Sequence, residues 1–463
     1  MIGIIGIVIS LALLMYLAYR GWSVILLAPI LALLAVVIAG LGGEDMHLLA
    51  TYTEGFMASL AGYVKSYFPM FLLGALFGKV MDDTGSAKSI AAFISEKIGE
   101  GKEIWAVVLS CAVITYGGVS LFVAAFAIYP IGAALFKKAD IPKRLLPGSI
   151  ALGAFTFTMT AIPGTPQIQN AIPMKFFETD LFAAPILGIV ATLIMLFGGM
   201  FWLTGRAKKA RANGEGYGVH EDKGIRTDDQ GDLPGMGAAI LPILVVLIGN
   251  LIFTKFVFAN MEAAYLEEQY NTTLGAVLGN WSLICALTLG VLLAIALNYK
   301  RFENGVMHTL KEGVQGSFLA VMNTASEVGY GNVIKSLAAF TMIATFMTDI
   351  SSNPLIGEAI SSSVLAGVTG SASGGLSIAL ETFGDVFMER ALQAGISPGV
   401  LHRVAAVACG GLDTLPHNGA VITLLGITGM THKEAYANIG MCTVVIPTIA
   451  TIAIIILGSF GIA

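Results

Sequence analysis

The chain has 463 residues, 56% of them hydrophobic and only 12% charged, against about 25% charged in an ordinary soluble domain; a soluble fold is excluded and an all-α polytopic membrane protein is expected. The formal net charge of −5 offers no basic surface for nucleic acid. Cys111, Cys285, Cys409 and Cys442 stand singly in apolar segments without metal-ligand spacing, and HExxH and GxSxG are absent, so zinc and enzymatic chemistry are set aside and the thiols are expected to be buried packing.

Apolar runs long enough to span a bilayer as helices begin at once, with Ile4–Tyr19 and its weakly polar flanks, then Val24–Leu41. The first is not expected to be a signal peptide, since no basic segment precedes it and YLAYRGW leads straight into the next run. Further on, TYGGVS (Thr115–Ser120) interrupts a long apolar stretch. Its glycines permit a turn and its hydroxyls need a polar cavity, so it reads as the tip of a re-entrant hairpin over about 88–137. Two straight helices packed through small residues are the competing reading. TMTAIPGTPQIQN then breaks a span over about 145–168, because proline removes a backbone donor and glycine eases the departure from a helix. Leu181–Leu203 closes the first half.

RAKKARANGEGYGVHEDKGIRTDDQGD is the longest polar stretch and lacks helical periodicity; residues 206–234 are expected to be a solvated cytoplasmic linker. After it come the Ala238–Phe258 run, a second small-residue cluster TGSASGGLS (Thr369–Ser377) inside a hairpin of about 335–393, a second break LDTLPHNGAV over about 400–425, and the final run Val444–Ala463. Glu381, Asp385 and Glu389 share one helix face, with Arg390 able to pair with them. Glu327 and Asp349 are expected at interfacial span ends, and His47 and His308 at loop-to-helix junctions.

Four echoes recur in order: MHLLATYTEGF from Met46 and MHTLKEGVQGS from Met307, KSIAAF from Lys88 and KSLAAF from Lys335, GGVSLF from Gly117 and GGLSIA from Gly374, TAIPGTP from Thr160 and DTLPHNG from Asp413. They define two membrane repeats, 1–205 and 235–463. If each holds three spans, a re-entrant hairpin, a broken helix and a final span, the crossings per half are odd and the second repeat is inverted. The basic residues agree with the inversion: Arg20, Lys137, Lys138, Lys143, Arg144, the Arg206–Arg211 cluster, Lys300, Arg301 and Lys433 fall on one side, expected to be cytoplasmic, while GGEDMHLLATYTE and ANMEAAYLEEQYNTT carry no Lys or Arg. Both termini are then expected outside, in a multi-pass inner-membrane protein.

Two tips and two breaks converging near the midplane would present half-helix N-termini to a small anion. An ionised aspartate at that depth costs roughly 2.5–3.5 kcal/mol on insertion scales, so Asp413 is expected to line a cavity or find a partner. Beside it His417 can change charge near neutrality, as a proton-coupled carrier requires. A structural role, His417 satisfying a helix end while Asp413 holds the break open, is the competing reading.

The stretches TYGGVSLFV, IPGTPQIQNAIP, GSASGGLSIAL and GGLDTLPHNGAVITLL resemble the gluconate permease (GntP) family of the ion transporter superfamily, over nearly the whole chain except the linker. Within the family the chain is more similar to the hydroxybutyrate permease-like branch. The resemblance implies a secondary carrier for small hydroxylated carboxylates such as 3-hydroxybutyrate or gluconate, proton symport, no cofactor, and a homodimer whose transport domain moves against a scaffold as an elevator. It also implies that substrate meets Thr115, Gly117, Gly118, Ser120, Thr160, Gly164, Thr165, Gln167, Ser371, Ser373, Gly374, Gly375 and Asn418, with Asp413 and His417 coupling the proton. The Ser-Asn-Thr signature of sodium-coupled superfamily relatives is absent at the tips, which weighs against a sodium-coupled citrate- or dicarboxylate-like transporter. A passive anion channel would need a continuous polar ring along a pore.

Overall fold

The computed structural model describes residues 2–20, 22–98, 101–119, 121–220, 233–342, 350–416 and 418–463; Ser120, Asp349 and His417 lie outside the described residues. Helices α1 (Ile2–Tyr19) and α2 (Val24–Leu41) lead into α3 (Leu48–Asp83), then α4 (Ser86–Ile98), α5 (Glu103–Tyr116) and α6 (Leu121–Lys138). The first broken segment is α7 (Leu146–Ala154), α8 (Phe157–Thr160) and α9 (Ile168–Phe177), closed by α10 (Pro185–Ala212). The second half contains α11 (Met236–Asn260), α12 (Ala264–Tyr270), α13 (Leu274–Arg301), α14 (Val306–Ser336), α15 (Pro354–Thr369), α16 (Ala372–Gln393), α17 (Pro398–Leu412), α18 (Gly419–Thr428) and α19 (His432–Ser459). Among the described residues there is no strand.

Six of these helices, α2, α3, α10, α11, α13 and α19, are long and apolar enough to cross a membrane. Their side chains are distributed as lipid requires. On α10 the bulky Ile186, Ile189, Leu193, Phe197 and Phe201 point outward, while Gly188, Ala191 and Gly199 face inward. On α19 the isoleucines at 449, 452 and 456 are outside, and Ala450 and Gly458 inside. Lipid tails solvate the large apolar groups as well as a protein interior does, so small residues go where backbones must approach. The broken elements lie deeper: every residue of α7 is buried, as is α17 from Val400 to Gly411.

Helix α14 differs from its neighbours. Over 31 residues it carries a buried face of Thr309, Gly313, Ser317, Thr324, Ser326 and Glu327, which bars it from facing lipid and is accommodated because α2, α3 and α16 pack around it. It runs antiparallel to α3: Lys79 pairs with Glu312 at 2.7 Å, Phe68 and Phe318 lie 5.5 Å apart, and Phe56 fills the space over Gly329. These are the two helices that begin at the matched Met46 and Met307 segments. Tyr63 and Thr324, equivalent in that match, lie beside each other.

Three expectations need correction. Glu327 is not at a helix end; it sits well inside α14 and is only 4% exposed. The basic cluster 206–211 is not part of a structureless linker, because α10 continues without interruption to Ala212. Nor is the segment after it free: Glu215 pairs through both oxygens with Arg144, which holds its carboxyl below the usual value, and the Tyr217 amide donates to Asp140. Finally, Cys285 is only half-buried, whereas the other three thiols are enclosed.

Candidate functional site

The first hairpin turns after α5. Gly118 has φ +92, a left-handed conformation that side chains resist, and its neighbour across the gap is Pro166. Helix α8 ends at Thr160, and the chain crosses to α9 through Pro163, Gly164 and Pro166. Gly164 has φ +84, and any Cβ there would collide with the Phe182 ring. Tip and break are tied together: the Gln167 amide donates to the carbonyls of Thr115 (2.7 Å) and Val119 (3.2 Å), and the Tyr116 hydroxyl donates to that of Pro163 (2.9 Å). Thr165 turns inward and donates to the Thr158 carbonyl.

The second half repeats this device with different residues. Asn418, at the N-cap of α18, accepts from the Val421 amide and donates to the carbonyl of Gly370 (2.8 Å) in the tip between α15 and α16. Ser371 caps α16 by accepting from the Gly374 amide (3.1 Å), and Ser373 lies 3.5 Å from it. Around the break, Tyr436 donates to the Thr414 carbonyl, Thr414 to the Thr443 hydroxyl, and His432 engages the Pro416 carbonyl. In both halves, an amide side chain just past the broken proline segment grips the carbonyl edge of its own hairpin tip.

A cavity of about 480 Å³ opens beside the first tip. Gly118, Pro166, Gln167 and Gln169 form one wall, Met70 and Phe71 of α3 a second, and Ser317 and Asn323 of α14 a third. Its size is that of a small-molecule site. The first turn of α9 lies in the wall, and Gln169, 7% exposed, has an Oε1 without a hydrogen-bond partner.

Of the residues singled out from sequence, Gly118 and Gln167 line this cavity. Thr115 and Gly117 stand behind the tip, where the Thr115 hydroxyl is buried and unpartnered, and Thr160, Gly164 and Thr165 form the crossing. Ser371, Ser373, Gly374, Gly375 and Asn418 are at the other tip and not in its wall. Asp413, at the end of α17, is 5% exposed and its Oδ1 has no partner.

A sequence profile described as GntP family permease matches residues 2–460. The chain belongs to the GntP permease family. A transporter of Bacillus subtilis (strain 168) called YxjC, itself of uncharacterised function, is 43% identical over 98% of both chains. The gluconate permease of Bacillus licheniformis is 28% identical over 54% of each. Two solved transporters share the fold: Neisseria gonorrhoeae MtrF, described among antimetabolite efflux pumps, with TM-score 0.57, 11% identity and 95% and 94% coverage, and Alcanivorax borkumensis YdaH, with TM-score 0.54, 15% identity and 89% and 88% coverage. The protein is a membrane permease, not an enzyme.

Sequence reasoning passed over a buried, multiply hydrogen-bonded cation in this GntP permease. Arg403 of α17 is fully buried, and its guanidinium donates to the carbonyls of Ala183 (2.8 and 3.1 Å), Leu181 (3.2 Å) and Thr160 (3.1 Å) and to Asn170 Oδ1 (2.9 Å). Adjacent His402 bridges Thr179 and the same Asn170 oxygen. The carbonyl freed at Thr160, where the first helix breaks, and those of Leu181 and Ala183 in the loop after α9 are therefore met by a cation from the second half, the condition under which non-helical backbone is tolerated in a membrane. A histidine and an arginine together inside an otherwise apolar run, LHRVAAVACGGL, were the available signal.

Replacing Gln167 tests the tip-to-break link. Gln167→Ala should lower the melting temperature modestly and weaken uptake, with loss of roughly 1–2 kcal/mol for two neutral hydrogen bonds. Gln167→Glu should be worse than Ala, because it aims a carboxylate at two carbonyls; thermal unfolding and radiolabelled uptake of both variants check the order.

Proposed function

We propose that this permease is a secondary carrier importing a small hydroxylated monocarboxylate by proton symport, with 3-hydroxybutyrate favoured over gluconate. The wall of the 480 Å³ cavity carries the reading. Its electropositive element is the first turn of α9, whose free N–H groups favour an anion. Gln167, Gln169 and Asn323 add donors, and no Lys or Arg among the described residues stands in the wall. That much positive potential matches one carboxylate; a citrate-like substrate, the cargo of the sodium-coupled alternative, would carry further charge with nothing to meet it. Met70, Phe71, Leu121, Leu287 and Leu319 make the remainder apolar, better suited to a short alkyl chain than to the row of hydroxyls on gluconate.

Alternating access follows from two repeats of opposite topology, a reading supported by the antiparallel packing of α3 and α14. The enclosed broken elements would move as a transport domain against the outer helices in an elevator-like stroke, within a homodimer, with the linker cytoplasmic, both termini outside and the inner membrane as the location. Ser371, Ser373, Gly374, Gly375 and Asn418 would meet substrate at the second tip, and Asp413 and His417 would handle the proton.

Counterflow distinguishes a carrier from a channel. Proteoliposomes preloaded with unlabelled 3-hydroxybutyrate should take up the labelled acid faster than empty ones, and equal rates would favour a passive pore. A thermal-shift series of 3-hydroxybutyrate, gluconate, lactate, citrate and D-serine should give the largest stabilisation with 3-hydroxybutyrate; stabilisation by citrate alone would overturn the substrate reading.

A further inference from the structure

We infer that Glu327 is a proton-binding residue of the transport cycle, placed against the tip of the second hairpin; the inference rests on the carrier reading above. Its carboxylate is 4% exposed, and Oε2 has no hydrogen-bond partner. That oxygen lies directly over the Cα of Gly374, in the first turn of the 22-residue α16, so closely that a methyl group on residue 374 could not fit. Beside it stands the buried Tyr63 hydroxyl of α3, together with the hydroxyls of Thr324 and Ser377. An unpartnered carboxylate oxygen enclosed among hydroxyls has an unmet need that a single proton can fill, since a carboxylic acid donates where a carboxylate only accepts.

No cationic side chain among the described residues lies against this carboxylate. From the elements packed on it, α3 presents Tyr63, α2 carries no ionisable group, α16 presents hydroxyls until the partly exposed Glu381, and the turn over Thr51–Met57 carries only the exposed Glu54 and Tyr52. Charge on Glu327 is thus answered by a proton or not at all. Position links the group to the substrate. Asn323, in the cavity wall, lies one turn earlier on the same helix, so a single rigid element touches the cavity at the first tip and the acid at the second. Glu358 is equally buried, with both oxygens unpartnered, but it lies about three turns before the tip on α15 and touches no such device.

In this scheme the Glu327 carboxylate takes one proton from the entry side, forming one O–H bond, and releases it to water on the other side when that bond breaks. The proton cancels the charge of one substrate carboxylate. Ionised Glu327 lies where a substrate anion would approach the N-terminal turn of α16, and its protonation removes that repulsion.

The test compares wild type and Glu327→Gln in proteoliposomes, with labelled 3-hydroxybutyrate and gluconate as probes. Accumulation driven by a pH gradient should fall by at least about tenfold in E327Q while counterflow falls by less than about threefold, and proton uptake on substrate addition, followed with an impermeant pH dye, should diminish. Smaller separation between the two losses, or wild-type accumulation driven by a sodium gradient and not by pH, overturns the assignment. If E327Q yields no folded protein, Glu327→Asp, which keeps a protonatable group in the same enclosure one methylene shorter, must shift the pH dependence of driven accumulation, and an unshifted profile overturns the assignment. Wild-type vesicles that neither accumulate nor exchange any probe would refute the carrier reading itself, whereas a wild type and E327Q that behave alike would refute only the role of Glu327.

Discussion

Arg403→Leu is expected to yield no monodisperse folded protein at temperatures where the parent is stable. The substitution removes a fully buried guanidinium and takes a donor from each of the carbonyls of Thr160, Leu181 and Ala183, of which Leu181 keeps the Gly164 backbone amide and the Asn170 side chain. Breaking a buried charged network costs about 3–5 kcal/mol, a large share of the 5–15 kcal/mol by which a typical domain is stable. Leucine cannot recover the loss by packing, because the carbonyls remain in a region with no water to donate to them. Arg403→Lys should be intermediate. An ammonium has three donors at one point, whereas these acceptors belong to separate stretches of chain and match a planar fork. Fluorescence-detected size-exclusion chromatography with a temperature ramp measures both, and a melting temperature for Arg403→Leu within a few degrees of the parent would refute the clamp.

The elements that broke the hydrocarbon pattern were legible because glycine and proline carry their backbone consequences with them. Among the described residues the chain leaves its helices after Tyr116 and Thr369, and again after Thr160 and Leu412, at the glycine and proline clusters. What those residues touch was not legible. The family resemblance points to Gln167 and Asn418 as substrate residues, yet the partners of their side-chain amides are main-chain carbonyls dozens of residues away, and a carbonyl has no signature in sequence. The same holds for Arg403.

Glu327 was misplaced for a related reason. The segment 306–336 is rich in Gly, Ser, Thr and charge, so hydropathy alone assigns its end to an interface; only the packing of α2, α3 and α16 around it turns those residues into an interior stripe. The convergence of all four tip and break elements on one site was an inference from symmetry. Here the cavity wall takes in the first tip at Gly118 and not the second, which meets Glu327 one turn along α14 from the wall residue Asn323. Sequence symmetry ranks positions as equivalent without saying which of them face the same space.

Asp413→Asn is expected to abolish accumulation driven by a pH gradient, by at least about tenfold, while substrate exchange falls less than about threefold. The reasoning begins at the end of α17, where the aspartate is the C-cap, 5% exposed, with Oδ1 unpartnered. A helix C-terminus is the negative end of its dipole, so a carboxylate there opposes both the dipole and the burial. Its charge is tolerable only while a proton or a cation is near, and asparagine fixes the neutral form at nearly the same shape. Exchange carries substrate in and out on the same loaded carrier and needs no net proton movement, whereas accumulation does. A carrier with the carboxamide can therefore shuttle without being driven. Equal, modest losses in both assays would instead assign Asp413 to holding the break open. Because Asp413 lies at the second break and Glu327 at the second tip, and Asn418 ties that break to that tip at 2.8 Å, each replacement should by itself uncouple the same hairpin, and combining them should add little to the loss seen with either.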